Sequence, residues 1–248
     1  MEYGKKIYFA SDFHLGASNH AESLKREKLI VRWLDEIHPQ TEALYLLGDI
    51  FDFWFEYRKV VPKGFVRFLG KIAEFTDTGI PVYFFTGNHD LWIYDYLPNE
   101  IGLIIYDEPQ TVTINGIKFY MAHGDGLGPG EQKFKLLKGL FRNSFAQWFF
   151  GRLHPNLGIA LAHKWSLSSR NVHGIPDEFR GEADEMLVRH SRNILNQEHY
   201  DYFIFGHRHI PIDYRLSENS RYINLGDWIH YYTYGVFDGE QFELKSYV

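Results

Sequence analysis

Residues 6–16 read Lys-Ile-Tyr-Phe-Ala-Ser-Asp-Phe-His-Leu-Gly, KIYFASDFHLG in one-letter code. An apolar run, Ile7 to Ala10, leads straight into an Asp and a His spaced one residue apart. The run reads as a buried strand. On extended backbone Asp12 and His14 share a face, because side chains alternate along a strand. A carboxylate oxygen and an imidazole nitrogen at one point suit a hard or borderline metal cation. One such pair is weak by itself, since polar residues often close strands.

Outward from this stretch, strands and helices alternate. ESLKREKLIVRWLDEIH has helical spacing in Leu24, Leu29, Trp33 and Leu34, and ALYLLGD is a second strand. GFVRFLGKIAEFTDTG reads as a helix with a glycine stop, and PVYFFTGNHD as a third strand. This rhythm predicts an α/β fold with a mostly parallel sheet and helices on its faces. TVTINGIKFYMAHGD predicts a hairpin across Asn115-Gly116, a favoured tight-turn pair. Residues 127–175 carry Gly and Pro punctuation around helical pieces, and PDEFRGEADEMLVRHSRNILNQ predicts a long helix with Pro near its start. The chain then returns to strands in YDYFIFGH, SRYINLGD, HYYTYGVFDG and QFELKSYV. One domain, 1–248, with a helical insertion at 127–175 is the simplest organisation.

Composition narrows the chemistry. The 248 residues include no cysteine, which excludes disulfides and thiolate metal sites. No run approaches the roughly 20 apolar residues of a membrane-spanning helix. The first residues have no signal-peptide layout, so the expected address is the cytoplasm. A net charge of −6 speaks against general nucleic-acid binding.

Five strand ends deliver the same kinds of side chain: Asp12 and His14, Asp49, Asn88 to Asp90, His123, and His207 to His209. Ligands of open α/β sheets bind at the carboxyl ends of strands. Asp12, His14, Asp49, Asn88, His123, His207 and His209 supply seven groups, more than one ion uses comfortably. Oxygen and nitrogen donors without sulfur suit Mn²⁺, Fe²⁺ or Zn²⁺. Two such ions need a bridging anion, and Asp49 on the central strand is the natural choice.

In this order D-x-H, G-D-x-x-D, G-N-H-D, H-G-D and G-H-x-H resemble the calcineurin-like metallophosphoesterases. The resemblance implies a two-sheet β-sandwich flanked by helices. It implies that Asp12, His14 and His209 hold one metal and Asn88, His123 and His207 the other, with Asp49 bridging. It also implies that His89 faces the scissile phosphate as transition-state stabiliser or general acid, with Asp90 orienting it. Within the family, GDIFDFW (Gly48–Trp54), HGDG before a long insertion, and INLGDWI resemble the UDP-2,3-diacylglucosamine pyrophosphate hydrolases. That branch implies two divalent ions, most readily Mn²⁺, an acylated UDP-sugar substrate, and a peripheral position on the inner face of the cytoplasmic membrane. Asn88, His89, Glu131, Ser166, Arg170, His207 and Arg208 are the implied substrate contacts. One departure stands out: proteobacterial members of the branch carry Arg where this chain has His89.

The insertion adds an independent signal. Between Glu131 and Arg170 lie seven Lys or Arg and one acid, in a chain that is acidic elsewhere. Phe134, Leu137, Phe141, Phe145 and Trp148 recur at three- and four-residue steps, predicting one aromatic helix face beside the cationic face of Lys135, Lys138 and Arg142. Such a helix lies on anionic lipid or roofs a site for acyl chains. Two other readings remain open: hydrolysis of a soluble nucleotide or phosphoprotein, and a scaffold without catalysis.

Overall fold

A computed structural model of the chain describes residues 1–128, 139–162, 178–179 and 181–248. Its first strands are β1 (Lys6–Ala10), β2 (Thr41–Leu46), β3 (Val82–Phe85), β4 (Ile104–Tyr106), β5 (Gln110–Ile114) and β6 (Ile117–Ala122). The later ones are β7 (Tyr202–Phe205), β8 (Pro211–Ser217), β9 (Ser220–Leu225), β10 (Thr233–Phe237) and β11 (Phe242–Ser246). The α-helices bounded wholly within the described residues are α1 (His20–Ile37), α2 (Val66–Asp77), α3 (Tyr96–Ile101), α4 (Ser144–Phe150) and α5 (Met186–Leu195), and residues 139–142 and 155–162 are also helical.

Two sheets result, one of six strands in the order β11-β10-β1-β2-β3-β4, the other of five in the order β5-β6-β7-β9-β8. Strands β1 to β4 run parallel, as do β6, β7 and β9, while β5, β8, β10 and β11 are antiparallel to their neighbours. The expected sandwich is therefore present, with two mixed sheets rather than one mainly parallel sheet. Side-chain alternation builds its layers. Ile7, Phe9, Ala43 and Tyr45 meet Phe119, Met121, Ile204 and Ile223 between the sheets. Tyr8, Ala10, Leu44 and Leu46 face the other way and pack with Ile30, Trp33 and Leu34 of α1 and Phe68, Ile72 and Phe75 of α2. Phe203 and Phe205 pack outward with Leu187 and Val188 of α5.

The parallel directions place the site. The carboxyl ends of β1, β2 and β3 in one sheet and of β6 and β7 in the other lie together, and every ligand motif follows one of these strands. The hairpin joining β5 to β6 turns through Asn115 and Gly116, both at positive φ (51° and 84°), the type I′ geometry of a two-residue turn.

Three elements escape the sequence reading, and two local expectations are revised. Strands β4 and β8 and helix α3 carry too little periodicity to stand out. The helix expected from Pro176 begins only at Met186, because Gly181 takes a left-handed turn (φ 91°) and Glu185 is extended. The aromatic face expected to run through Phe141, Phe145 and Trp148 is broken at Asn143. That residue is extended, and its side chain caps α4 by accepting from Phe145 N–H at 3.0 Å and Ala146 N–H at 3.2 Å. Phe141 turns to the edge of Trp92, while Phe145, Trp148 and Phe149 are exposed at 75%, 53% and 66%. Phe134 and Leu137 lie outside the described residues.

Candidate metal centre

The sequence puts ligands just past strand ends, and the backbone there is not extended. Asp12, His14, Asp49, His207 and His209 all have positive φ, between 43° and 69°. This corrects the D-x-H reading: left-handed turns, not strand alternation, bring Asp12 and His14 together. A left-handed non-glycine residue costs roughly 1–2 kcal/mol, so five in one site mark strain held by the surrounding fold. Glycines make the close approach possible. A Cβ on Gly206 would stand 2.5 Å from Asp12 Oδ2, and one on Gly48 2.6 Å from His123 Nδ1.

Ligand atoms of Asp12, His14, Asp49 and His209 lie within 4.8 Å of one another, and so do those of Asp49, His123 and His207. Asp49 belongs to both groups. Its Oδ2 is 3.7 Å from His14 Nε2 and 3.3 Å from His123 Nε2, while Asp12 Oδ1 is 3.7 Å from His14 Nε2 and 3.5 Å from His209 Nε2. Asn88 Oδ1 joins the second group, 3.3 Å from His123 Nε2. All seven expected ligands thus lie together, in two clusters with a shared carboxylate, and a third group of His14, Asp52 and His89 overlaps the first.

The calcineurin-like phosphoesterase family model matches residues 5–211, 207 of the 248 residues. The chain belongs to that family. Among curated relatives, UDP-2,3-diacylglucosamine hydrolase of Porphyromonas gingivalis is 39% identical over 254 residues, covering 97% of both chains. The proteins of that name from Aeromonas hydrophila and Vibrio atlanticus are 30% and 28% identical, covering 89% and 97% of each chain.

As a calcineurin-like phosphoesterase the chain is a metal-dependent hydrolase, and its own side chains fit divalent cations. Both ring nitrogens of His14 are buried without a hydrogen-bond partner. Asp12 Oδ1 and Asp49 Oδ2, both 3.7 Å from Nε2, are too far for hydrogen bonds but match donor atoms around one cation, about 3–4 Å apart, while Nδ1 faces Asp52 Oδ1 at 3.5 Å. The charges agree. Burial alone would lower the pKa of His14 and His123. Asp12, Asp52 and Asp49 override it at His14, and Asp49, Asp12 and Asp125 at His123, pushing both up to about 10. A buried pocket that favours an imidazolium this strongly is built for positive charge. Asp49 stays well below the usual carboxylate range: burial opposes ionisation, but His123, His89 and His14 outweigh it. His207 is lowered to about 4 by burial and by His123, leaving a neutral imidazole.

Tautomers follow from carbonyl partners, which only accept. His123 Nδ1–H donates to Leu47 O at 2.7 Å, which leaves Nε2 free to ligate. His89 Nδ1–H donates to Asp52 O at 3.0 Å, so Nε2, 4.0 Å from Asp49 Oδ2, faces the pocket. His89 has its pKa lowered, first by burial and then, against Asp49, by His14.

The resemblance has Asp90 orienting His89, but the residue beside His89 Nδ1 is Asp52. Asp90 instead accepts backbone N–H groups of Gly87 (2.7 Å), Ile50 (2.8 Å), Asp49 (3.3 Å) and Phe51 (3.3 Å), tying the β2 and β3 loops together. Burial and the charge of Asp49 push Asp90 up to about 7. Arg208, expected at phosphate, is engaged by buried Glu185 through Nε (2.9 Å) and Nη2 (3.0 Å). Glu131, Ser166 and Arg170 lie outside the described residues.

Sequence reasoning missed two supporting groups. Asp227 Oδ2 lies 3.6 Å from His209 Nδ1, at the carboxyl end of β9. Its Gly226-Asp227 pair repeats the strand–Gly–Asp signal of Gly48-Asp49 and could have been found. Arg26, buried on α1, donates from Nη2 to His14 O at 2.7 Å. No motif marks it, because an Arg amid a helical pattern reads as surface.

Proposed function

We propose that the chain hydrolyses the pyrophosphate bond of UDP-2,3-diacylglucosamine to UMP and 2,3-diacylglucosamine 1-phosphate, using two divalent ions, Mn²⁺ first among them. The observation that carries the two-ion reading is Asp49, one carboxylate common to two ligand clusters. The substrate reading is supported by likeness to the Porphyromonas gingivalis relative across 97% of both chains. Asp12, His14 and His209 would hold one ion, Asn88, His123 and His207 the other, with Asp49 between them. Bound there, divalent ions supply a hydrolytic nucleophile at neutral pH and neutralise phosphoryl charge.

The chain's own groups do the rest. His89 Nε2, fixed by the Nδ1–H bond to the Asp52 carbonyl, is placed to hold a phosphoryl oxygen as charge builds on it. Asp52 orients the catalytic imidazole through its backbone carbonyl, and its carboxylate, 3.5 Å from His14 Nδ1, places negative charge beside that residue. Asp90 acts one step back, by joining the loops that carry Asp49 and His89. Asn88, His89 and His207 line the phosphate position, and Glu131, Ser166 and Arg170 would meet the sugar or acyl chains.

Stretch 127–175 would act as a helical lid on a single phosphoesterase domain. Phe150 anchors it among Phe53, Phe55 and Trp92, with ring centroids 4.7–6.0 Å apart. Trp92 Nε1–H donates to Phe141 O at 2.8 Å. The exposed Phe145, Trp148 and Phe149 beside a basic stretch suit the face of an anionic membrane, which would place the protein peripherally on the inner face of the cytoplasmic membrane. No helix among the described residues is long and apolar enough to cross a membrane. The test is UMP release from UDP-2,3-diacylglucosamine by Mn²⁺-loaded protein, with Asp49→Asn as control. Release that vanishes in the control supports the proposal, and no release from the wild type refutes the substrate.

A further inference from the structure

The loop after β7 carries two of the ligands, His207 and His209, at left-handed positions on either side of Arg208 (φ 69° and 56°). Neither is glycine, so neighbours must hold the turn. Three hydrogen bonds to its backbone, two of them from or to side chains, do so at its start. Gly206 N–H donates to His123 O at 2.9 Å, Asn224 Nδ2–H donates to Gly206 O, and His207 N–H donates to Asp12 Oδ2 at 3.0 Å. Between the two ligands the grip is a side chain. Arg208 Nε and Nη2 donate to Glu185 Oε2 at 2.9 Å and Oε1 at 3.0 Å, a paired fork that fixes the plane of the guanidinium as well as its place.

Glu185 is 2% exposed and sits at the N-cap position of α5, ten residues beyond the inserted stretch. A buried ion pair is a poor device for stability, since apolar residues of similar volume commonly do as well or better. What a forked pair provides is fixed geometry, and here the geometry it fixes belongs to two ligands.

We propose that Glu185 is a positioning residue for the metal centre: by gripping the Arg208 fork it holds the turn that aims His207 and His209 at the Asp49 and Asp12 carboxylates. This rests on the two-ion reading of the site. It also gives Arg208 a role other than phosphate contact.

The test titrates Mn²⁺ calorimetrically into chelator-dialysed full-length protein as wild type, Glu185→Gln, Arg208→Lys and the double variant. Melting temperature is followed on the same samples, as are kcat and KM for UDP-2,3-diacylglucosamine. Each single variant loses roughly 10- to 100-fold in Mn²⁺ affinity. At limiting Mn²⁺ kcat falls while KM holds, and saturating Mn²⁺ restores kcat. The double variant is no worse than the worse single one, because both remove the same fork. Arg208→Lys keeps a cation beside Glu185 and reports even if Glu185→Gln does not fold. Unchanged Mn²⁺ affinity with a lowered melting temperature overturns the proposal, leaving Glu185 merely structural. A raised KM in Arg208→Lys at unchanged Mn²⁺ affinity overturns it too, giving Arg208 to substrate. Failure of the wild type to take up Mn²⁺ overturns the two-ion reading itself, whereas uptake with unaffected variants refutes only the role of Glu185.

Discussion

Gly87 follows β3 and lies against Asp49 at the end of β2, and replacing it with alanine should damage the centre without replacing a ligand. A Cβ built there would stand 2.5 Å from Asp49 N and 2.9 Å from Asp49 Cγ. Ordinary contact begins near 3.4 Å, so the two strand ends must part by about 0.9 Å, the difference between 3.4 and 2.5. Asp49 has no room to absorb this quietly. Its Oδ1 accepts His89 N–H at 2.9 Å and its Oδ2 faces His14 and His123. Misplacement by about 1 Å costs on the order of 10²-fold in rate, and overpacking costs about 1–3 kcal/mol of stability. Gly70→Ala, inside α2 with nothing within 4 Å of the new Cβ, is the control. It should gain about 0.5–1 kcal/mol and keep full activity. UMP release and retained metal after dialysis are the assays. A Gly87→Ala protein that turns over within twofold of wild type and keeps its metal would refute this account of Asp49.

Three further outcomes follow from the same geometry. Burial opposes ionisation of Asp227, but His209, the His230 amide and the His230 ring outweigh it and hold the carboxyl well below the usual range. A carboxyl depressed on folding contributes stability above its unfolded pKa, about 3.9, and loses it as pH falls through the range below. In chelator, Asp227→Asn should therefore be less stable to urea than wild type at pH 7, and the gap should narrow by pH 3; a constant gap counts against the assignment. Phe145→Ser with Trp148→Ser should abolish sedimentation with phosphatidylglycerol vesicles and slow long-chain substrate, while hydrolysis of a water-soluble phosphodiester stays level. Equal vesicle binding would remove the lid's membrane face. Phe9, fully buried and stacked on Tyr45 at 5.2 Å and Phe119 at 6.1 Å, should cost about 3–5 kcal/mol when cut to Ala, read as the urea midpoint; a loss under 1 kcal/mol would contradict the inter-sheet core.

The residue types at the site were legible in the sequence, and the way the backbone presents them was not. All seven expected ligands stood out because they cluster as Asp, Asn or His where apolar runs end, and that rule also leads to Asp227. Left-handed turns at Asp12 and His14 leave no trace in hydrophobic periodicity, so strand alternation gave the right neighbours for the wrong reason. Asp90 looked like the partner of His89 because it follows it in sequence. Four backbone N–H groups compete for its carboxylate and win, and Asp52 faces the imidazole instead. Arg208 looked free for phosphate because its partner Glu185 is 23 residues away in the chain. The lid helix reads as continuous because aromatic spacing carries through Asn143, whose side chain caps the start of α4.

The sharing of Asp49 between two cations is the claim on which the function depends. Elemental analysis together with electron paramagnetic resonance of Mn²⁺-saturated protein tests it directly. Two ions per chain with the exchange-coupled signal of neighbours about 3.5–4 Å apart, both lost in Asp49→Asn, is the expected result. One ion per chain, or two with independent signals, would contradict it.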